Sequence, residues 1–96
     1  MARVTEEQVE AVRALIAAIP PGRVRTYGDI ADEVGLSSPR IVGWVMRTDA
    51  SDLPWYRVVP ATGRPAAHIA REQLEHLRAE GVLADGDRIP LRDYRL

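Results

Sequence analysis

The chain has 96 residues, a length that suits one domain rather than two, so we expect a single domain over residues 1–96. Hydrophobic residues make up 46% of the chain and charged residues 28%, which is ordinary for a globular protein and argues against disorder. The formal net charge is −1, so the overall charge does not by itself indicate a nucleic-acid partner.

Several classes of site and location are excluded by what the sequence lacks. Cysteine is absent, which excludes disulfides, thiolate metal sites and a cysteine nucleophile. No apolar run approaches the ~18 residues of a membrane span, and the first ten residues lack the apolar core of a signal peptide. His68 and His76 do not have metal-site spacing, so we expect no metal and interpret both as solvent-side helix residues. We therefore expect a cytoplasmic protein.

The first predicted helix has a clear beginning and end. Thr5 and Gln8 have the spacing of a capping box, in which each side chain bonds the other residue's backbone N–H. The apolar residues that follow return at helical spacing, and Pro20-Pro21-Gly22 cannot continue a helix. The pattern predicts a helix over about 6–18, with its apolar face formed by Val9, Val12, Leu15, Ile16 and Ile19.

Two further helices are predicted close together after a short extended link. Thr26 can cap a helix over about 27–34, and Gly35 suits the left-handed residue that follows a helix. Ser37 or Ser38 can cap a third helix that starts at Pro39 and runs to about residue 47. A short helix, a turn with glycine and a second capped helix are typical of a helix-turn-helix, here over about 26–48.

The rest of the chain predicts short elements. Residues 57–59 have the pattern of a short strand, and residues 62–63 that of a turn. A fourth helix is expected over about 67–80, with Gly81 after its end and with Ile69, Leu74 and Leu77 as its apolar set. The tail over 88–94 is expected to pair as a short edge element, where its proline is tolerated. The fold class is therefore mainly α with a short β element.

Three segments in chain order carry a family resemblance: IPPGRVRTYGDIADEVG, SPRIVGWVMR and PWYRVV. Together they resemble the C-terminal domain of the O6-alkylguanine-DNA alkyltransferases over about residues 5–81, which implies a winged helix-turn-helix-like fold. In those enzymes the third segment reads Pro-Cys-His-Arg-Val, and its cysteine accepts the alkyl group. Trp55 and Tyr56 replace that Cys-His pair here. Tryptophan at the cysteine position is typical of the alkyltransferase-like proteins, a non-enzymatic branch.

The resemblance implies a function in damage recognition. Proteins of this branch bind double-stranded DNA through the minor groove, flip an O6-alkylguanine into a pocket and leave the alkyl group in place. They then hand the site to nucleotide excision repair proteins. For this chain the resemblance implies that there is no catalytic residue and no cofactor. It also implies a monomer that associates with the nucleoid when it binds DNA.

The resemblance also assigns three DNA-binding residues. Tyr27 matches the tyrosine that presses on the phosphate beside the flipped nucleotide. Arg40 matches the arginine finger that enters the vacated stack, where a guanidinium can offset part of the unstacking cost. Gly43 matches a glycine that lets the third helix approach DNA. The residues alone permit other interpretations: an exposed tyrosine, a surface arginine, and a glycine that allows close packing on the second helix.

The expected lesion pocket consists of Trp55, Tyr56 and Arg57. Trp55 has no nucleophile, and its flat face can pack on an extruded base, although a space-filling core tryptophan is the alternative. Tyr56 departs from the family's usual His or Gln, and Arg57 is expected to brace the loop. Glu80 matches a glutamate that helps to activate the cysteine in the enzymes, and is interpreted here as structural. Possible further lesion contacts are Asp49, Arg64 and Arg71.

Two other functions are compatible with the sequence. A small helix-turn-helix regulator would recognise a DNA sequence and show no preference for damage. An enzyme that acts on a flipped base would be a diverged alkyltransferase or a glycosylase. A glycosylase needs a carboxylate or an amine near the pocket, for which Glu80 and Asp49 are the candidates. Retention of the alkyl group and the base on a lesion duplex separates the binding protein from the enzyme.

Overall fold

The computed structural model describes residues 4–96 of the chain, and within them the fold is mainly helical with two short strands. This is the fold class that the sequence predicts. The elements in chain order are α1 (Glu6–Ala17), β1 (Arg25–Thr26), α2 (Tyr27–Val34), α3 (Pro39–Asp49), a 3₁₀ helix (Trp55–Arg57), β2 (Val58–Val59), α4 (Ala70–Ala79) and α5 (Leu91–Tyr94).

The first three helices begin where their capping residues predict. Thr5 and Gln8 form the expected capping box at α1. Thr26 does the same at α2, where its side chain accepts from the N–H of Asp29, and the Asp29 side chain accepts from the N–H of Thr26. Ser38 caps α3, and Gly35 ends α2 with φ 81°, in the left-handed region that glycine allows. The helix-turn-helix is therefore specified by local signals.

The core is divided between the two faces of β2. Val58 belongs to a cluster with the buried residues of α1, α2 and α3, whereas Val59 belongs to a second cluster with Val24, Leu77 and Ile89. Consecutive residues of a strand point to opposite faces, so this two-residue strand joins the two clusters. It pairs in parallel with β1, with Arg25 opposite Val58 and Thr26 opposite Val59. The α2–α3 pair lies between these two strands in the chain.

Several element boundaries differ from the sequence prediction. Arg57 belongs to the 3₁₀ helix rather than to a strand, so only Val58 and Val59 are extended. Helix α4 begins at Ala70 instead of about residue 67, because residues 66–69 form a separate turn closed by a hydrogen bond from the N–H of Ile69 to the carbonyl of Ala66. Helix α3 extends two residues beyond the predicted end, to Asp49.

The predicted edge element over 88–94 is correct only at Arg88, and the prediction is wrong for residues 91–94. Residues 91–94 form the single helical turn α5 after Pro90, which is closed by a hydrogen bond from the N–H of Arg95 to the carbonyl of Leu91. Isolated bridges lie on both sides of that turn: Arg88 pairs antiparallel with Asp85 before it, and Arg95 pairs in parallel with Val24 after it. Among residues 4–96, no helix is both long and apolar enough to cross a bilayer.

Candidate nucleic-acid interface

Two adjoining hollows share the surface between α2 and α3. The first, of about 480 Å³, lies beside Trp55, and the second, of about 500 Å³, lies beside Arg40. Tyr27, Gly43 and Arg47 line both hollows, so the three residues form the boundary between them. Both volumes fall within the ~300–1,000 Å³ typical of ligand pockets.

The hollow beside Trp55, which we call the Trp55 cavity, has two walls. One wall comes from the α2–α3 pair and the segment that follows it. The other comes from the 3₁₀ helix and the start of α4. The lining residues are Tyr27, Gly43, Met46, Arg47, Thr48, Asp49, Ala50, Ser51, Trp55, Ala66, His68, Ile69 and Glu72. Trp55 is half-buried and lines this cavity.

The six site residues predicted from the sequence do not all line the same cavity. Tyr27, Gly43 and Trp55 line the Trp55 cavity, and Arg40 lies beside the adjoining hollow. Tyr56 and Arg57 are not part of the cavity lining, and instead contact Glu80 behind it. The structure therefore brings together four of the six predicted residues on one surface, and places the other two in the support of Trp55.

Arg40 is held by its backbone and keeps its side chain free. The N–H of Arg40 donates to Ser38 Oγ at 3.1 Å in the first turn of α3. The Arg40 side chain is exposed and forms no salt bridge with any of residues 4–96. Its guanidinium thus stands at a helix N-terminus, a position that itself favours phosphate.

Tyr27 presents a neutral hydroxyl beside a cation. Burial raises the pKa of the Tyr27 hydroxyl, and the nearby Arg47 offsets part of that rise. A phenol is protonated at neutral pH even at its ordinary pKa, so the Tyr27 hydroxyl can donate a hydrogen bond to an anion without charge repulsion.

Gly43 does not need to be glycine for packing within the chain. A Cβ atom built at Gly43 would lie 3.6 Å from Nη1 of Arg47, an ordinary contact, and apart from its chain neighbours and the adjacent backbone of α3 it would meet no other described residue within 4 Å. Close packing of α3 on α2 therefore does not explain this glycine. The bare backbone instead leaves room for a molecule that approaches α3 from outside.

An aromatic group supports Trp55 from behind. The rings of Tyr56 and His76 are stacked, with centroids 4.4 Å apart and planes at 8°. Trp55 meets both rings edge-on, at 5.7 Å from Tyr56 and 5.9 Å from His76. His76 is partly exposed, as the sequence predicts, but the sequence analysis missed its contact with the two rings. These edge-to-face contacts fix the orientation of the indole.

Arg57 and Glu80 form an ion pair that joins three segments: the 3₁₀ helix, the end of α4 and the link between α1 and β1. Arg57 Nε donates to Glu80 Oε1 at 3.0 Å, and Arg57 Nη1 donates to the carbonyl of Ile19 at 2.8 Å. Glu80 also accepts from the N–H of Gly22 and from the hydroxyl of Tyr56. The predicted roles of Arg57 as a brace and Glu80 as a structural residue agree with these contacts.

The ion pair also sets the charge state of Glu80. Burial by itself would raise the pKa of the Glu80 carboxyl, but hydrogen bonds from Arg57, Gly22 and Tyr56 outweigh burial and lower it below its ordinary value. The hydrogen bond to Glu80 raises the pKa of Arg57. Glu80 is thus held as a bound carboxylate rather than as a free base.

Gln73 is a structural residue that the sequence analysis missed. It is buried, and its Nε2 donates to the carbonyls of Tyr56 and Val58 at 3.0 and 2.8 Å. Gln73 lies between Ile69 and Leu77 at spacings of one helical turn, so it is a polar residue on the apolar face of α4. A buried polar side chain needs hydrogen-bond partners, and that position was the available signal.

Arg13 of α1 fixes the segment that follows α3. Its guanidinium donates to both carboxylate oxygens of Asp52, at 3.2 and 2.8 Å, and to the backbone carbonyl of Asp49. Asp49, Ala50 and Ser51 line the Trp55 cavity, so this contact shapes one of its walls. Asp49 could be named from the sequence but Arg13 could not, because the two residues are far apart in the chain.

The segment after Gly63 supplies His68 rather than an arginine to the cavity. Arg64 pairs with Asp87 at 3.2 Å and Arg71 pairs with Glu75 at 3.5 Å, and neither lines the Trp55 cavity. Within the part of the chain that the structure describes, no group of three or more metal-ligating side chains is found.

The chain is similar to known DNA-binding proteins. Residues 7–82 match the family described as the 6-O-methylguanine DNA methyltransferase, DNA binding domain. The chain is 42% identical over 89 residues to the DNA base-flipping protein of Escherichia coli (strain K12), a match that covers 84% of this chain and 67% of that protein.

Solved structures agree with the sequence match. The structure of S. pombe Atl1 in complex with damaged DNA containing O6-carboxymethylguanine has a TM-score of 0.84 and 29% identity, and covers 99% of this chain and 98% of that chain. The Mycobacterium tuberculosis O6-methylguanine methyltransferase has a TM-score of 0.67 and 30% identity, and covers 88% of this chain and 54% of that chain. The chain belongs to the 6-O-methylguanine DNA methyltransferase DNA-binding-domain family, in its alkyltransferase-like, base-flipping branch, and the lack of cysteine separates it from the alkyl-accepting enzymes.

Proposed function

We propose that this protein binds the minor groove of double-stranded DNA through α2 and α3, and flips an O6-alkylguanine into the Trp55 cavity. The alkyl group stays on the base, and the bound protein marks the site for nucleotide excision repair. The observation that carries the proposal is the sharing of Tyr27, Gly43 and Arg47 between the Trp55 cavity and the hollow beside Arg40. A flipped nucleotide lies next to the gap that it leaves in the base stack. The two adjoining hollows could hold the flipped base and the arginine that fills the gap.

Each shared or neighbouring group has a physical role in flipping. The neutral hydroxyl of Tyr27 bonds the phosphate of the turned nucleotide, and Gly43 allows the DNA backbone to come close. The exposed guanidinium of Arg40 fills the vacated stack, which offsets part of the few kcal/mol that unstacking costs. Trp55 packs on the flipped base with its free face, held in place by Tyr56 and His76.

The chemistry of the cavity is that of binding. The chain has no cysteine, so an alkyl group cannot pass to a thiol. Glu80 is bound by Arg57 and Tyr56 behind the cavity, where it does not face a flipped base. The protein therefore holds the lesion without a reaction.

The decisive experiment compares two duplexes that differ in a single O6-methyl group. Fluorescence anisotropy gives the affinity of each for the wild type, for Arg40→Ala and for Arg71→Ala. Arg71 is the matched control, because it is an exposed arginine outside both hollows. We expect tighter binding to the O6-methylguanine duplex, a substantial loss of that preference in Arg40→Ala, and no change in Arg71→Ala.

Other results would contradict the proposal. Equal affinity of the wild type for both duplexes would remove the lesion-sensing role, and a sharp motif selected from undamaged random DNA would indicate a sequence-reading regulator. Mass spectrometry of the lesion duplex after incubation should find the alkyl group and the base intact, and the loss of either would indicate an enzyme.

We also propose a cellular location and protein partners for this chain. It works in the cytoplasm as a monomer, associated with the nucleoid when bound, and its partners are nucleotide excision repair proteins. Copurification with excision-repair proteins should increase when the cells are treated with an alkylating agent. An unchanged yield, at equal recovery of the tagged protein, would contradict this partnership.

A further inference from the structure

Trp44 is a large aromatic side chain that the fold leaves uncovered. Its exposed fraction is 47%, and it is the one aromatic residue among the exposed large hydrophobic residues of the described chain. No ring among residues 4–96 stacks on it, in contrast to Trp55, which contacts two rings. An exposed indole is a large apolar surface that gains free energy when a partner covers it.

The neighbours of Trp44 on α3 are cationic. Arg40 lies four residues before it and Arg47 three residues after it, which places all three side chains on the exposed face of the helix. Val42 and Val45 are buried on the opposite face. Neither arginine forms a salt bridge within residues 4–96. Two free cations beside an indole indicate a polyanionic partner rather than an apolar protein surface.

The position of Trp44 around α3 distinguishes it from the pocket residues. Consecutive residues of a helix are about 100° apart, so the Trp44 side chain leaves α3 about 100° around the helix axis from Gly43, which lines both hollows. Trp44 lines neither hollow and therefore cannot touch a base held beside Trp55. A minor groove is about 6 Å wide and a helix about 10 Å across, so the flanks of a docked helix meet the sugars that wall the groove.

We propose that Trp44 is a DNA-contact residue whose indole packs on deoxyribose sugars of one strand beside the stack that Arg40 enters. The inference rests on the proposed function, because it takes α3 as the docked helix. The contact adds affinity for damaged and undamaged duplexes alike, because Trp44 stands outside the lesion pocket. It thus gives the protein a way to stay on DNA while it searches for a lesion.

The first test measures affinity. We expect Trp44→Ala to weaken binding to plain and O6-methylguanine duplexes by about tenfold each, with the ratio of the two affinities changed by less than about twofold. The slope of log affinity against log salt should stay the same in Trp44→Ala, whereas Arg47→Ala should reduce it by about 1. Leu83→Ala is the matched control, because Leu83 is an exposed apolar residue that lines neither hollow.

The second test observes the two tryptophans directly. The chain has two tryptophans, so 5-fluorotryptophan gives two ¹⁹F signals, which Trp44→Phe and Trp55→Phe assign. On saturation with the plain duplex, the Trp44 signal should lose its H₂O/D₂O isotope shift. On the lesion duplex the Trp55 signal should change as well. The Trp55 signal therefore reports on the lesion pocket, and the Trp44 signal reports on the proposed contact with the sugars.

Four outcomes would overturn the inference. An unchanged isotope shift of Trp44 in a saturated DNA complex would place the indole away from DNA. A Trp44→Ala variant that binds both duplexes as the wild type does would remove its contribution. A Trp44 signal that moves with protein concentration in the absence of DNA would assign this surface to a second copy of the chain. Absence of saturable binding to either duplex would refute the proposed function together with this contact.

Discussion

The two walls of the Trp55 cavity are built in different ways. The α2–α3 wall continues beyond this cavity to the adjoining hollow, and its helices begin at local caps. Its side chains Arg47, in the cavity lining, and Arg40, beside the adjoining hollow, are exposed and form no salt bridge within the described chain. The opposite wall depends on contacts between residues far apart in sequence. Arg57, Gln73 and Glu80 are all bonded there.

This difference assigns DNA binding to one wall and the positioning of Trp55 to the other. Free cations on a rigid, locally capped helix pair can meet phosphate without losing an existing partner. The bonded residues of the opposite wall hold Trp55 in one orientation, and their polar groups are already satisfied. We therefore expect substitutions on the α2–α3 wall to change DNA binding, and substitutions in the support of Trp55 to change the stability of the fold.

The largest expected effect is on the support side, in Arg57→Ala. Removal of Arg57 leaves the largely buried Glu80 carboxylate without its main partner, which should lower the free energy of unfolding by on the order of 3 kcal/mol. Urea denaturation followed by circular dichroism measures this loss. Glu75→Ala removes an exposed ion pair and serves as the control. A loss in Arg57→Ala no larger than that of the control would contradict the division between the two walls.

A smaller effect is expected from pH, through Glu80. Its pKa is lower in the folded protein than the ordinary value of 4.5. The unfolded chain therefore binds a proton more readily, and the stabilisation from the ionised carboxylate is present above about pH 4.5 and lost as the pH falls through the folded pKa. We expect the free energy of unfolding to decrease below pH 4.5 less steeply in Glu80→Gln than in the wild type.

The measurement must compare the free energies of unfolding of the wild type and Glu80→Gln at each pH, because Asp29 and Asp52 also have lowered pKa values. Both carboxyls are present in each protein, so their effect cancels in the difference. Parallel curves of unfolding free energy against pH for the wild type and Glu80→Gln would show that the Glu80 ion pair does not stabilise the fold.

The smallest effect on stability is expected for Arg40→Ala on the α2–α3 wall. The Arg40 side chain is exposed and unpaired within the described residues, and only its backbone N–H bonds the cap, so the free energy of unfolding should change by less than about 0.5 kcal/mol. The same variant should lose lesion preference in the binding assay. A large loss of stability in the urea assay would mean that Arg40 supports the fold, and the two walls would then not differ as described.

Much of the α2–α3 wall could be predicted because its signals are local. Thr26, Gly35 and Ser38 each act within a few residues of their own position, and the helices begin and end where these residues predict. The fourth helix was predicted three residues too long at its start, because no capping side chain marks that end. Most of the tail was predicted wrongly, because the pairing of Arg95 with Val24 depends on contacts between residues far apart in the chain.

The support of Trp55 could be predicted only in part. The sequence analysis named Tyr56, Arg57 and Glu80, and interpreted the last two as structural. It did not find Gln73 or the stacking of His76 on Tyr56, because α4 packs on the 3₁₀ helix only after the chain has folded back. A glutamine on the apolar face of a helix was the one local sign of such a contact.

The sequence by itself determined three properties: the absence of a thiol, the capped helix-turn-helix, and the order of segments that carries the family resemblance. Each depends on residue identity or on spacings of a few residues, which do not require tertiary contacts. The tertiary structure decided which side chains meet. It placed Trp55 beside a cavity rather than in the core, assigned Arg57 and Glu80 to its support, and left Trp44 exposed between two arginines. These outcomes depend on contacts between segments far apart in the chain, which no local pattern specifies.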